Sequence, residues 1–446
     1  MPTMPSKIKT IADLDLCIAC GACVEACPSD NVQPIFDQYN SAPSVELLNI
    51  DKCNSCPGSI CETVCPSIET DFRGLRSSFN PEDASDSLAG PDSWLKDIIL
   101  MRSEKFGNDG RSSSGGVVKE FVTACLEEEL DVICLQDTPI GGISQSQSVS
   151  DFSDIDQIPG SLYQSSSTFD VIERVRTSPR NVCLIAIPCQ LAGILSYFQK
   201  CEPELVQKIQ VKIGIICGWM YSHHSIRASE QFNRISERVE RASFRGEDRV
   251  GLLKLFSRGR IYKFKRRQFV GIREALNYLS SFSSDFNRLR CRTCMDHTNL
   301  LADVVVGDAW LRHKQNEKIS IVGVRTSRGA ELTNNIKNKE GIFCEKSRFG
   351  DLQESQGDDI IFNRTAGAIK NSLNGVSEGI LNFKGVQGNN TKGARPVLSW
   401  LGEKYRRRLV RNGHYSVYRA LYSVRKWKSL LKVFVWGQLQ MLKRKS

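Results

Sequence analysis

The chain has 446 residues, 40% hydrophobic and 25% charged, which suits two or three globular domains and is too long for a small electron carrier alone. Its seventeen cysteines, many at metal-ligand spacings, point to a reducing compartment and away from a disulfide scaffold. No signal-like apolar run opens the chain, and no stretch reaches the ~20 apolar residues of a membrane-spanning helix, so a cytoplasmic protein is expected. The net charge of +10 is unevenly placed: residues 395–446 hold fourteen Lys or Arg and one acidic residue, Glu403, which leaves the rest of the chain at −3.

Residues 1–75 form the first predicted module. Cys17, Cys20, Cys23 and Cys27 are followed by Pro28, and Cys53, Cys56, Cys61 and Cys65 by Pro66. Two runs of four thiols, each closed by Cys-Pro, are the pattern of a two-cluster [4Fe–4S] ferredoxin, in which the fourth cysteine of each run ligates the other cluster. The expected sets are Cys17, Cys20, Cys23 with Cys65, and Cys53, Cys56, Cys61 with Cys27. Zinc would ask for two separated pairs. In the second run Pro57-Gly58-Ser59-Ile60 makes a longer loop, with a Pro-Gly turn that can return Cys61 to its cluster.

Residues 76–92, rich in Ser, Asp and Pro, read as a linker. From 93 to about 390 short apolar runs alternate with helical stretches, the mark of an α/β domain. Strands are expected at Val132–Leu135, Val182–Ile187, Val211–Ile216, Ala302–Val306 and Ile319–Val324, and helices at Gly115–Glu128, Gln190–Gln199 and Arg328–Lys337. The fold expected is thus an α+β ferredoxin-like N-terminal domain, an α/β domain, and a basic helical tail over 391–446.

Three places in the α/β domain can carry chemistry. Ser112-Ser113-Ser114-Gly115-Gly116 opens a helix, where small residues and free N–H groups can meet a phosphate, or where serine simply caps the helix. Cys189, in Pro188-Cys189-Gln190, and Cys217, in Cys217-Gly218, each follow an apolar strand, where ligands gather in open parallel sheets. Singly, each could as well be a small buried hydrophobe. Cys291 and Cys294 form a Cys-x-x-Cys pair, which alone could be a redox dithiol or half a zinc site. Together the four are enough for a third [4Fe–4S] cluster. Cys125, Cys134, Cys183, Cys201 and Cys344 lie in or beside apolar segments and read as structural.

The order of these segments, ending in Ala302-Asp303-Val304-Val305-Val306-Gly307-Asp308, resembles the family of coenzyme F-420 hydrogenase and dehydrogenase β subunits, which includes 7-hydroxymethyl chlorophyll a reductases. The likeness covers about residues 10–345. It implies FAD and a cluster in the α/β domain, with electrons passing between iron–sulfur centres and a two-electron acceptor such as F-420 or another small molecule. Carried over, Cys189, Cys217, Cys291 and Cys294 match the cluster positions. Ser113, Ser114, Gly115, Gly116, Gln190, Asp303, Gly307 and Asp308 match the flavin surroundings, and a glycine expected after Pro-Cys-Gln stands at Gly193. The segment Trp219 to His224 is bulkier than the resemblance leads one to expect. His223, His224 and His297 are candidate proton donors, although a histidine in such a place is more often a hydrogen-bonding group.

An iron–sulfur flavoprotein oxidoreductase is therefore expected, with a ferredoxin or another redox protein as electron partner. A different reading makes the chain an electron-transfer subunit that serves a partner protein and has no substrate of its own. A nucleic-acid-binding protein with structural clusters ranks last, since eight ferredoxin-type ligands exceed what a staple needs. From Val417 the tail places apolar residues at near-helical spacing among basic ones, which suits either an anionic membrane surface or a helix packed on the body.

Overall fold

The computed structural model describes residues 6–56, 58–83, 94–246, 251–265, 283–314, 317–356, 382–384 and 404–421. In the N-terminal module a helix, Lys7–Asp13, precedes a hairpin of β1 (Val32–Asp37) and β2 (Ala42–Leu47), and the cysteine runs lie on either side of that hairpin. A short strand β3 (Glu69–Asp71) follows and leads into the helix Phe72–Phe79. The predicted boundary after residue 75 falls inside this helix. Asp71 caps it by accepting from Gly74 N at 3.0 Å, and Phe72 and Leu75 are buried, so the chain stays ordered past the expected start of the linker.

The α/β domain is built on one eight-stranded sheet. Its strands are β4 (Asp97–Ser103), β5 (Asp131–Leu135), β6 (Ser146–Val149), β7 (Val182–Ala186), β8 (Ile209–Ile215), then after a small three-stranded sheet of β9 (Arg241–Arg245), β10 (Leu252–Ser257) and β11 (Arg260–Lys265), β12 (Val304–Asp308), β13 (Ser320–Val324) and β14 (Ile342–Lys346). The sheet order is β14-β4-β13-β12-β8-β7-β5-β6. The four central strands β12, β8, β7 and β5 run parallel, with antiparallel neighbours on both flanks. A fifteenth strand, β15 (Asn382–Lys384), pairs in parallel with β3.

All five expected strands and all three expected helices of this domain are present. The period-2 alternation of a strand assigns its residues to two faces. Val132, Cys134 and Cys183 join Phe121 and Cys125 of the helix Val117–Glu127 in one core. Ile133, Val182 and Leu184 join Leu191, Ile194 and Leu195 of the helix Pro188–Cys201 in the other. That second core also contains Ile18, Cys20, Ala22 and Val64, so the ferredoxin module packs directly on the helix that begins at Pro188. Cys125, Cys134 and Cys183 are buried, as expected of structural thiols, and Cys201 and Cys344 are half-buried beside the same cores.

The described part of the tail packs on the body. Residues 404–411 and 415–421 are helical, and Val410 and Tyr418 are buried with Phe286 and Phe232. Arg406 pairs with Asp285 at 2.9 Å and Arg407 with Asp15 at 3.0 Å. Most of the amphipathic stretch read from the sequence lies beyond 421 and so outside the described residues. Among the described residues no helix is long and apolar enough to cross a membrane.

Candidate functional site

The carboxyl ends of the parallel strands open into a cavity of about 340 Å³, within the range of small-molecule sites. Leu135, Ile185, Ala186, Ile187, Ile215, Ile216 and Val306 supply its apolar wall. Across from them stand Ser112, Ser113, Ser114 and Gly116, then Val117, Val118 and Lys119 from the first turn of the helix Val117–Glu127. The first N–H groups of a helix have no intrahelical acceptor, so main-chain donors meet the cationic residues Arg111 and Lys119 at the positive end of a helix dipole. Lys119 is buried and held by Asp109 at 2.8 Å. Asp109 lies below the usual carboxylate range: burial raises it, but the bonds from Lys119, Ser112 N and Arg111 N outweigh that cost.

The two glycines of this loop are kept small by the backbone around them. Gly116 has φ +75, and a Cβ there would lie 2.4 Å from the Phe106 carbonyl carbon. A Cβ at Gly115 would meet Met101 O at 2.6 Å. Both are small so that the loop can lie against β4 and the turn after it, and a side chain at either position would strain the fold before it touched a ligand. Ser113 Oγ accepts from Ser161 N at 3.0 Å and Ser114 Oγ donates to Ile319 O at 2.7 Å, so these hydroxyls shape the cavity wall.

Gly307 and Asp308 also line the cavity, whereas Gln190 and Asp303 do not. Gln190 is fully buried and donates to the carbonyl of Ser166, itself a wall residue, at 2.9 Å. Asp303 sits at the other end of β12, 3.0 Å from Lys212 Nζ, and accepts from Asn80 Nδ2 at 2.8 Å and Thr326 Oγ1 at 2.9 Å. It is an internal tie between the sheet and the segment after the ferredoxin module. The Asp-Val-Val-Val-Gly-Asp motif thus has a structural end and a cavity end.

Arg245 was not legible as a site residue. Its guanidinium is buried, grips Asp308 through two bonds of 2.8 and 3.1 Å, donates to Ser113 O at 2.7 Å, and stacks 4.6 Å over the Trp310 ring. It ties three wall segments together. Nothing near residue 245 in the sequence signals this role, because its partners lie 63 and 132 positions away.

The three candidate histidines line neither this cavity nor the smaller one beside it. His223 accepts from Gly141 N through Nδ1 at 2.6 Å and donates from Nε2 to Ser165 O at 3.2 Å. His224 donates from Nε2 to Tyr39 O at 2.9 Å and lies 2.7 Å from Tyr415 Oη, which fastens the tail helix. His297 contacts Gln356, and burial pushes its imidazole down to about 4. Burial likewise pushes His223 down to about 4. An unfolded imidazole titrates near 6.5, so between roughly pH 6.5 and 4 the unfolded state takes a proton that folded His223 refuses. This contribution is complete above pH ~6.5 and is lost as pH falls through that window. Urea midpoints at pH 7 and 5 should show the loss, and His223→Gln should flatten it. An unaltered pH dependence in that variant would refute the assignment.

The smaller cavity is lined by Cys189, Cys217, Cys291 and Cys294, with Pro188 and Arg290. It shares Ile187, Cys217, Gly218, Trp219 and Met220 with the large one, so the four thiols stand behind a common wall. Burial pushes the Cys217 thiol up, and Cys291, Cys189 and Cys294 add to the rise. The ferredoxin thiols sort in the same way. Burial raises Cys23, and Cys65, Cys17, Cys20 and Cys61 add to the rise. Burial raises Cys61 to about 12, with Cys27, Cys53 and Cys56 around it. Cys65 thus neighbours Cys17, Cys20 and Cys23, and Cys27 neighbours Cys53 and Cys61, which also have Cys56 beside them. Cys20 has Cys189 as a further neighbour, and Cys23 has Cys61, so the first set neighbours both of the others.

Such thiols fit clusters better than a single ion. Among the described residues no three Cys, His, Asp or Glu side chains converge closely enough for one metal ion. A zinc–sulfur bond of about 2.3 Å would draw its ligands tightly together, whereas an iron–sulfur cube holds its thiolates farther apart. N–H groups also point at the sulfurs: Ala19 N to Cys17 at 3.3 Å, Asn31 Nδ2 to Cys53 at 2.9 Å, and Met220 N to Cys291 at 3.4 Å. Donors of this kind favour the thiolate and tune a bound cluster. Gly193 completes the packing, since a Cβ there would come within 2.5 Å of Cys20 Sγ.

Residues 179–347 match the family that describes the C terminus of the coenzyme F420 hydrogenase/dehydrogenase beta subunit, and residues 10–33 match "4Fe-4S binding domain". The F subunit of the F(420)H(2) dehydrogenase from Methanosarcina mazei is 20% identical over 331 residues, 69% of this chain and 81% of that protein. A chain of the F420-reducing [NiFe] hydrogenase complex from Methanosarcina barkeri, solved with xenon, overlaps 60% of this chain and 90% of its own length, at 16% identity and a TM-score of 0.46.

Proposed function

We propose that this chain, an iron–sulfur oxidoreductase of the coenzyme F-420 hydrogenase/dehydrogenase β-subunit type, carries electrons along its three cysteine sets to or from FAD held in the 340 Å³ cavity. The observation that carries this reading is the shared wall: Cys217 belongs to both the four-thiol cavity and the large one. Cys53, Cys56 and Cys61 are partly exposed, whereas Cys17, Cys20, Cys23 and Cys65 are buried, so single electrons would enter or leave at the second set. Bound FAD would supply a store of two electrons, which converts single-electron supply into hydride chemistry. The chain's own part is to bind and shield it. Lys119 and the helix N-terminus suit its diphosphate, and the apolar ends of β5, β7, β8 and β12 suit its ring system. The two-electron acceptor or donor would be coenzyme F-420 or another small organic molecule.

The test is anaerobic reconstitution with iron, sulfide and FAD, followed by assay of reduction of small acceptors. Non-covalent flavin should co-purify with the protein. Lys119→Met should weaken FAD binding about 10- to 100-fold, as loss of a charge-assisted contact implies. Protein that binds no flavin under these conditions would overturn the proposal. A second reading, electron transfer to a partner protein only, is favoured by the exposure of the second cysteine set and by the relative's being one of several subunits in name. Flavin binding without turnover of any small acceptor would select it.

A further inference from the structure

Two buried arginines stand between the cysteine sets. The short helix Leu289–Arg292 carries Cys291, and the arginines on either side of Leu289 are both charged neighbours of that thiol. Arg288 has Cys17 and Cys291 among its charged neighbours, which belong to the first and third sets. Arg290 is a charged neighbour of Cys65 in the first set and of Cys189 and Cys294 in the third, and its Nε donates to Ser67 Oγ at 3.2 Å. Neither is a charged neighbour of any thiol in the second set among the pairs found for Cys53 and Cys61.

Asp15, two residues before Cys17, is the hub through which the tail reaches the same place. Its Oδ1 accepts from Arg288 Nε at 3.1 Å. Its Oδ2 accepts from Leu289 N at 3.0 Å, Arg407 at 3.0 Å and Arg411 at 3.4 Å. Arg407 and Arg411 lie outside the family match at 179–347 and belong to the basic tail, which the function proposed above leaves unused.

We propose that Arg288 and Arg290, together with Arg407 acting through Asp15, raise the reduction potentials of the first and third clusters relative to the second and so bias electrons inward towards the cavity. A thiolate-ligated cluster is an anion that gains a further negative charge on reduction. Cations fixed nearby in a buried, weakly screening setting favour the reduced form. The second set is partly exposed, and neither arginine is among the strongest charged neighbours of Cys53 and Cys61. Arg407 acts as a positioning and charge-balancing residue. It neutralises a carboxylate that would otherwise oppose reduction beside Cys17.

This inference rests on the cluster reading, and the experiment separates the two. Full-length reconstituted protein is titrated electrochemically with EPR detection, and iron content and thermal midpoint are recorded for each variant. Arg290→Gln should lower the reduced-to-oxidised ratio of the two buried clusters about tenfold at fixed potential, which is about 59 mV for one electron. Arg407→Gln should shift the first cluster in the same direction, and Arg407→Lys should restore it. Asp15→Asn should shift it in the opposite direction. The second cluster should not move in any of the four. A purely structural role would lower iron content or the thermal midpoint without this pattern of sign. Unchanged potentials in fully loaded Arg290→Gln and Arg407→Gln protein would overturn the inference and leave the relay intact. Wild-type protein with only two clusters would overturn both.

Discussion

Replacing Cys291 and Cys294 together by serine removes about four irons per chain, one [4Fe–4S] unit, and leaves the ferredoxin signals in place. The expectation follows from the smaller cavity, where these two thiols meet Cys189 and Cys217 and where the pairing residues come from three separate strand ends or loops. With half of its ligands gone the third cluster cannot assemble. The first cluster should survive, because its thiols at Cys17, Cys20, Cys23 and Cys65 are crowded chiefly by one another. The consequence for electron flow is equally large: flavin should still bind, since neither cysteine lines the large cavity, but dithionite-reduced clusters should no longer reduce it at the wild-type rate. Iron and sulfide analysis with EPR checks the first part, and anaerobic stopped-flow absorbance checks the second. An unchanged iron content would remove the third cluster from the account.

Replacing Lys212 by methionine should cost about 3–5 kcal/mol of stability, the range for leaving a buried charge without its partner. Lys212 and Asp303 are both fully buried, 3.0 Å apart, inside the sheet. Asp303 also accepts from Lys212 N at 2.7 Å, Asn80 Nδ2 and Thr326 Oγ1, so its charge is held by one cation and by neutral donors. Removing the cation strands the carboxylate. The double variant Lys212→Met, Asp303→Leu should regain part of that loss, because a buried ion pair replaced by apolar side chains of similar volume is often neutral or stabilising. Denaturant unfolding of the three variants gives the comparison. A Lys212→Met variant within about 0.5 kcal/mol of wild type, the usual effect of a surface change, would show that the pair is not buried in solution.

Asp303 also illustrates where reading by motif stops. It lies four residues from Gly307 and five from Asp308, in one continuous run, and the strand that joins them places its ends at opposite edges of the sheet. A rise of about 3.3 Å per residue separates the two ends by more than the width of a ligand's contact shell. Gln190 is set apart by helix geometry instead: it follows Cys189 on the helix Pro188–Cys201, roughly 100° further round the axis, so it bonds the wall residue Ser166 while Cys189 lines the four-thiol cavity.

The sequence by itself determined the 4Fe-4S binding domain and the central parallel strands, and it supplied the proposed sets of thiols. Cysteine spacing is local chemistry, and a cluster ligand must be a thiolate whatever surrounds it. The buried strands announced themselves because strands covered on both faces are continuous apolar runs. The strands β4, β6 and β14 and the small sheet of β9 to β11 were not among those expected, although Ile98-Ile99-Leu100-Met101 of β4 is itself a continuous buried run. Only the tertiary structure decided the rest. It showed that Gly115 and Gly116 pack closely against neighbouring backbone, that the three histidines are hydrogen-bonded ties, and that Arg245 organises the cavity. It also placed the tail's Arg406 and Arg407 against Asp285 and Asp15, far earlier in the chain. These are consequences of long-range packing, in which the partner that fixes a residue's role lies many positions away and leaves no mark on the local pattern.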